Sequence, residues 1–146
     1  MNRIAAACLL PALLAFVGCS EPTGPRTMRV WGDVSLDGKP VEQGTITFDS
    51  IDGSPPAQAQ IQDGRYDLPA ESGPVAERTY KIRINAPVKT GKTVPNVMPN
   101  GGPTMDVLEE SIPAAFHAKS TIEKTISPDS SRNEFSFQLK KSGAYE

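Results

Sequence analysis

Cysteine and histidine are nearly missing from this chain. Among its 146 residues only Cys8 and Cys19 are cysteines, and His117 is the single histidine. Both thiols lie within the first nineteen residues, so the rest of the chain has no cysteine for a disulfide framework and must be held by its core alone. One imidazole with no thiolate beside it cannot make a His/Cys metal centre. No metal and no cofactor are expected. An excess of positive charge is also missing: 15 Lys+Arg stand against 17 Asp+Glu, for a net charge of −2. Losing the first eighteen residues removes Arg3 and no acid, which makes the remainder slightly more acidic. Such a domain lacks the electrostatic footprint of a nucleic-acid binder. There is no helical periodicity of any length, and no G-x-S-x-G to mark a nucleophile.

What is present begins with a targeting segment. Arg3 is its charged start, and Ile4 to Val17 is an apolar run. That run is short for a membrane-spanning helix of ~20 residues and fits a secretory h-region, giving a signal peptide over residues 1–18. The next stretch, Phe16-Val17-Gly18-Cys19, resembles a lipobox, with Phe16 where leucine is more usual. The resemblance implies cleavage after Gly18, lipidation of the Cys19 thiol and acylation of the new amino terminus. The alternative is an ordinary signal peptide in which Cys19 is incidental. Each buried lipid CH₂ contributes roughly 0.8 kcal/mol, so several acyl chains give a durable membrane anchor. Residues 19–27 form the lipidated terminus and a polar Pro/Gly tether. Ser20 rather than Asp follows Cys19, which by the same resemblance points to the outer membrane or periplasmic side of a cell envelope.

From residue 28 onward the pattern is that of strands and turns, with 14 prolines and 12 glycines in the whole chain. Val30, Val34 and Leu36 alternate with Trp31, Asp33 and Ser35, a period of two that sends the sets to opposite faces. Asp37-Gly38 then turns the chain. Ile46 and Phe48 repeat the alternation, as do Ala57, Ala59 and Ile61. Asp63-Gly64 makes a hairpin into Arg65–Leu68. Tyr80, Ile82 and Ile84 face one way from Thr79 to Asn85. Thr121–Ile126 and Asn133–Leu139 come last, the latter with Phe135, Phe137 and Leu139 inward. These stretches predict an all-β, roughly seven-stranded antiparallel Greek-key sandwich over residues 28–140, with a frayed tail at 141–146.

The stretch Gly32, Val34, Leu36, Asp37, Gly38, Lys39, Pro40, Val41, Gly44, Ile46, Phe48 resembles the opening of the carboxypeptidase-regulatory-like, or transthyretin-like, domain of small bacterial envelope lipoproteins. The likeness continues through Asp63-Gly64-Arg65-Tyr66, Tyr80-Lys81-Ile82, Ile112-Pro113 to Ser120-Thr121, and Asn133-Glu134-Phe135. It implies a lipid-anchored, non-catalytic β-sandwich acting as an interaction or structural module, for an envelope protein or a glycan. The alternative within the resemblance is a transthyretin-type small-ligand-binding protein or hydrolase. Hydrolases of that kind use several histidines and a C-terminal Tyr-Arg-Gly-Ser; here one histidine is present and the chain ends Ser142-Gly143-Ala144-Tyr145-Glu146.

One segment breaks the rhythm. Residues 86–112 carry Pro87, Pro95, Pro99, Pro103 and Gly101-Gly102, and read as a long loop. Within it Thr104 to Ser111 allows two helical turns with Thr104 as N-cap. The loop is either the seat of a specific function or a crossover between sheets. Ala86 to Thr93 loosely matches a phosphate loop, but Pro87, Pro95 and Pro99 deny it the helix it must open; Lys89 and Lys92 are read instead as a basic binding patch. Trp31 is the other binding candidate, either exposed or shielded by a neighbouring strand. His117 is read as a packing-and-turn position. Asp49, Asp52, Asp63 and Asp67 could offer oxygen to Ca²⁺, but turn formation explains them better. Lys124, in an inward register, is the one lysine placed for an isopeptide bond, or for snorkelling its charge to water.

Overall fold

The computed structural model describes residues 24–146. The signal peptide, Cys19 and the first part of the tether lie outside the described residues.

Among the described residues ten short strands form, in order β1 (Val30–Leu36), β2 (Lys39–Pro40), β3 (Gln43–Ser50), β4 (Ala57–Gln62), β5 (Arg65–Leu68), β6 (Thr79–Asn85), β7 (Pro87–Pro95), β8 (Thr104–Glu110), β9 (Glu123–Thr125) and β10 (Phe137–Leu139). The fold is all-β. One curled sheet runs β10-β1-β5-β4-β3-β6-β9, with β2 hung on β1, and β7 and β8 make a sheet of their own. The curl brings β5, β1 and β10 across from β3, β6 and β9, so the layers enclose one core. Phe48 of β3 meets Tyr66 of β5 with ring centroids 6.2 Å apart.

The alternation in the sequence sets this core. Val30, Val34, Ile46, Phe48, Ala59, Ile61, Tyr66, Leu68, Tyr80, Ile82 and Ile84 are all buried, joined by Phe116, Ile122, Ile126, Phe137 and Leu139. Each large apolar side chain taken fully from water contributes roughly 1.5–3 kcal/mol, so this cluster does the work a disulfide framework would do elsewhere. The two Asp-Gly turns have positive φ at both central residues: Asp37 and Gly38 at 49° and 76°, Asp63 and Gly64 at 51° and 79°. This is the type I′ geometry whose twist matches a hairpin.

Three expectations need correction. The pairing is not wholly antiparallel: β10 runs parallel to the second half of β1, from Val34↔Phe137 to Leu36↔Leu139, while the first half of β1 pairs antiparallel with β5. Residues 86–112 are not a loop, and Thr104–Ser111 is not helical. They fold into the β7–β8 hairpin, in register from Pro87↔Glu110 to Pro95↔Thr104 with an irregularity between Lys89 and Thr93. Pro87 and Pro95 are tolerated because a two-stranded ribbon has outer edges where a missing N–H costs no ladder bond. Gly91, at φ 76°, makes the bulge. Nor is the tail frayed: Gln138 and Glu146 exchange main-chain hydrogen bonds at 3.1 Å, and Tyr145 meets Phe116 edge-on.

Gly32 is where the closure of the sheet is decided. The segment before β10 crosses directly over it: Phe135 N donates to Trp31 O at 2.8 Å, and Trp31 N to Asn133 O at 3.3 Å. A Cβ on Gly32 would lie 2.1 Å from the Phe135 carbonyl oxygen, so no side chain fits without moving backbone. Gly32→Ala is expected to lower stability by about 1–3 kcal/mol, read as a shift of the urea midpoint. Gly102→Ala, at a position with nothing within 4 Å, is expected to change it by less than about 0.5 kcal/mol.

Candidate functional site

Two surfaces stand out, and the binding residues expected from the sequence divide between them. Trp31 belongs to one, Lys89 and Lys92 to the other.

The first is a cleft of about 680 Å³ on the outward face of β1, β5 and β4. Alternation puts Val30, Tyr66, Leu68, Ala59 and Ile61 in the core, which leaves Trp31, Asp33, Arg65, Asp67, Gln60 and Gln62 outward. Trp31 lies opposite Asp67 and Asp33 opposite Arg65. The segment crossing Gly32 supplies a wall that carries Glu134, bridged to Trp31. That wall is pinned from beneath, where the Tyr66 hydroxyl donates to Phe135 O at 2.7 Å. Burial pushes the Tyr66 phenol well above its ordinary pKa, and the Asp33 and Glu134 carboxylates push it further. The phenol therefore stays a donor.

Trp31 is half-buried. The Arg29 guanidinium sits 4.8 Å from its ring centroid and is itself gripped by Asp67, Nε to Oδ1 at 2.8 Å and a second N–H to Oδ2 at 2.5 Å. Arg29 borders a smaller neighbouring hollow and does not line the cleft. The indole is thus held by Arg29 and lines both hollows.

The second surface is the β7–β8 arm. Six of the eight exposed large hydrophobics among the described residues lie on it: Val88, Val94, Val97, Met98, Met105 and Leu108. Residues 93–105 contain no charged side chain. Charge is confined to the base, where Lys89 Nζ pairs with Asp106 at 2.7 Å and the Asp106 hydrogen bond raises the Lys89 pKa. Lys92 stands exposed in the bulge. Between the arm's base and the β1–β2 turn lies a groove of about 780 Å³, walled by Leu36, Val41, Val88, Leu108 and Ile112.

Glu110 fastens the arm to the sandwich. Its Oε1 accepts from Ala86 N at 2.7 Å and Ile112 N at 3.0 Å, and its Oε2 from Asn85 Nδ2 at 3.0 Å. Burial acts to raise its pKa. The hydrogen bonds from Asn85, Ala86 and Ile112, with the charge of His117, outweigh that and hold the carboxyl below its ordinary value. Nothing in the sequence singled this residue out, because two of its partners, Asn85 and Ala86, lie more than twenty residues earlier, where the chain leaves β6.

The other candidates are tied into structure. His117 Nε2 donates to Ile112 O at 3.1 Å. Neither neighbouring serine faces it: Ser111 Oγ donates to Ala86 O and Ser120 Oγ to Ile82 O. Asp52 accepts from the Ser50 and Ser54 hydroxyls and from Ser54 N, and pairs with Arg78. Those contacts, the Ser50 hydroxyl first, depress its pKa. Asp49 pairs with Arg83. Among the described residues no three His, Cys, Asp or Glu side chains gather around a common point. Lys124 pairs with Tyr80 across β9 and β6, and its Nζ lies 5.7 Å and 5.8 Å from the Phe135 and Phe137 rings, a cation–π placement. The Asn133 side chain is taken by the main chain of Ser127, at both its Oδ1 and its Nδ2. Among the described residues no helix is long and apolar enough to cross a membrane.

Because the folded carboxyl of Glu110 is depressed, its contribution is present above the ordinary glutamate range and is lost as pH falls through the folded value. Protection factors of the β7 and β8 amides, corrected for the intrinsic pH dependence of exchange, are expected to fall on acidification below about pH 4, before those of the main sheet do. Glu110→Gln turns an amide toward Asn85 Nδ2 and is expected to cost about 1–2 kcal/mol, and to flatten that pH dependence in the arm.

No protein-family model, curated protein or solved structure matches the chain.

Proposed function

We propose that the chain is a lipid-anchored, non-catalytic β-sandwich module of the cell envelope, held to a membrane through Cys19 and using the β7–β8 arm to engage a partner protein. The envelope placement and the kinship with small bacterial lipoproteins of the carboxypeptidase-regulatory-like type rest on the leader and the strand motifs of the sequence.

The observation that carries the interaction reading is the position of the uncharged, apolar half of the arm. The tether enters at one pole, where Thr27 bridges Val75 and Ala76 N donates to Arg26 O. The arm leaves β6 at the other pole, beside Val41 and Leu36. Seven residues of β1 separate the poles, about 23 Å at strand rise. From there the nine residues of β7 pair with β8 alone. A tip placed so far from the tether addresses something other than the anchoring lipid. A lone two-stranded ribbon is marginal in water and gains from a third strand or an apolar cover, and exposed apolar patches of this kind mark interaction surfaces. Support for the non-catalytic reading comes from Ser111, Ser120 and His117 Nε2, which bond main-chain carbonyls, and from Asp52, taken by its own turn and by Arg78.

A photo-crosslinker placed at Met98 in living cells is expected to give a defined protein adduct that one placed at Ser72, near the tether, does not. Val94→Asp with Met105→Asp is expected to abolish the adduct while changing stability by under about 1 kcal/mol. Cys19→Ala is expected to move the chain into the aqueous phase of a detergent partition. Adducts to lipid alone, or a chain that partitions identically with and without Cys19, would overturn the proposal.

A further inference from the structure

The cleft over β1, β5 and β4 has a consistent chemistry. Every outward side chain that lines it is planar and polar or aromatic: an indole, two amides, three carboxylates and a guanidinium. No aliphatic side chain intrudes. Its volume falls within the range of about 300–1,000 Å³ usual for small-molecule sites, which combine a flat apolar surface with a few convergent polar groups.

We infer that this cleft is a saccharide-binding site, in which Trp31 is the platform and Gln60, Gln62, Arg65, Asp33 and Glu134 take the hydroxyls. A pyranose ring presents a flat face of C–H groups, whose slight positive charge suits the negative face of an indole. Around its rim each hydroxyl is both donor and acceptor. Carboxylates and amide oxygens accept from such groups, and amide nitrogens and a guanidinium donate to them. Trp31 is pre-set for the platform. Arg29, held in turn by Asp67, packs on the indole, so little freedom is lost when a sugar ring settles against it.

Charge narrows the ligand class. Asp33, Asp67 and Glu134 face Arg65 and Arg29, which leaves no excess of positive charge for a phosphate or a nucleotide. The acids Asp33 and Asp67 already have cationic partners, and the one outward aromatic ring, Trp31, already carries Arg29 while Tyr66 is buried, so an alkylammonium ligand finds no open cage. A neutral polyol suits what is left. The Arg65–Asp33 pair is loose at 3.4 Å, with its side chains 84% and 67% exposed. A pair so wet contributes little and opens cheaply toward a ligand. This site is separate from the arm and does not depend on it.

Trp31 is the only tryptophan, so its fluorescence reports the cleft directly. The full mature protein, kept in a detergent that is not itself a glycoside, would be titrated with maltohexaose, cellohexaose and hexa-N-acetylchitohexaose. At least one is expected to give a saturable change in Trp31 emission, with a dissociation constant of ~0.1–1 mM. Gln62→Ala and Glu134→Gln are each expected to weaken it about three- to tenfold. Gln58→Ala, on the same strand face but outside the cleft, is expected to leave it unchanged. Trp31→Ala, followed by calorimetry, is expected to abolish binding, with an unaltered urea midpoint showing that the fold survives. No saturable change with any of the three sugars would overturn the assignment. So would a change that ignores Gln62 and Glu134, or tighter binding of inositol hexakisphosphate than of any sugar.

Discussion

The structure depends on one strand serving two partners. The first half of β1 is bonded antiparallel to β5 and the second half parallel to β10, so the sheet can roll over its core instead of lying open. The change of partner falls between Asp33 and Val34, just past Gly32, where the chain leading to β10 lies on bare backbone. That contact has several consequences. It brings Phe135 and Phe137 to the rings' place under Lys124, it lets Tyr66 anchor the crossing strand, and it raises Glu134 into a wall beside Trp31. With no disulfide in the described body, this closure and the apolar cluster beneath it carry the fold.

Polar groups inside that body are few and each is answered. Asn133 holds the Ser127 turn through both ends of its amide, and Tyr80 accepts from Val75 N at 2.9 Å. Among the described residues no buried side-chain nitrogen or oxygen lacks a partner. A buried polar atom left alone costs about 1–3 kcal/mol, which a small core could not absorb many times. The same economy explains why His117, Ser111 and Ser120 serve the fold and face one another nowhere.

How much of this is legible in the sequence depends on range. Strands such as Thr79–Asn85 declare themselves because alternation is local and strict, and both Asp-Gly turns because positive φ needs those residues. The arm is hidden by its prolines. Pro87 and Pro95 signal a break in any reading that assumes a full sheet, and only the free edge of a two-stranded ribbon makes them harmless. The parallel β10 is hidden for another reason: Gly32 in a strand signals close approach, but nothing local names Phe135 as what approaches. Trp31 is visible as a single residue, whereas its cleft is assembled from four separate stretches. Lys89 and Lys92 look like a patch in sequence, yet Asp106 from the opposite strand neutralises one of them.

The arm also shows where the chain guards itself and where it does not. Open strand edges invite pairing with any other chain, and proteins blunt them with proline, charge and bulges. Near its base β7 carries all three: Pro87, then Lys89 and Lys92, then the bulge at Gly91. Beyond Thr93 charge and bulge stop and only Pro95 is left, while Val94 faces Met105 with both exposed. Indiscriminate association would be resisted at the base, which is stiffened by Glu110 and close to the body, while the distal half is left receptive. A ribbon that merely bridged two sheets would need no such division, because its edges would be covered by the body. The gradient from guarded to unguarded is what a surface built for one kind of contact, made at a distance from the tether, would carry.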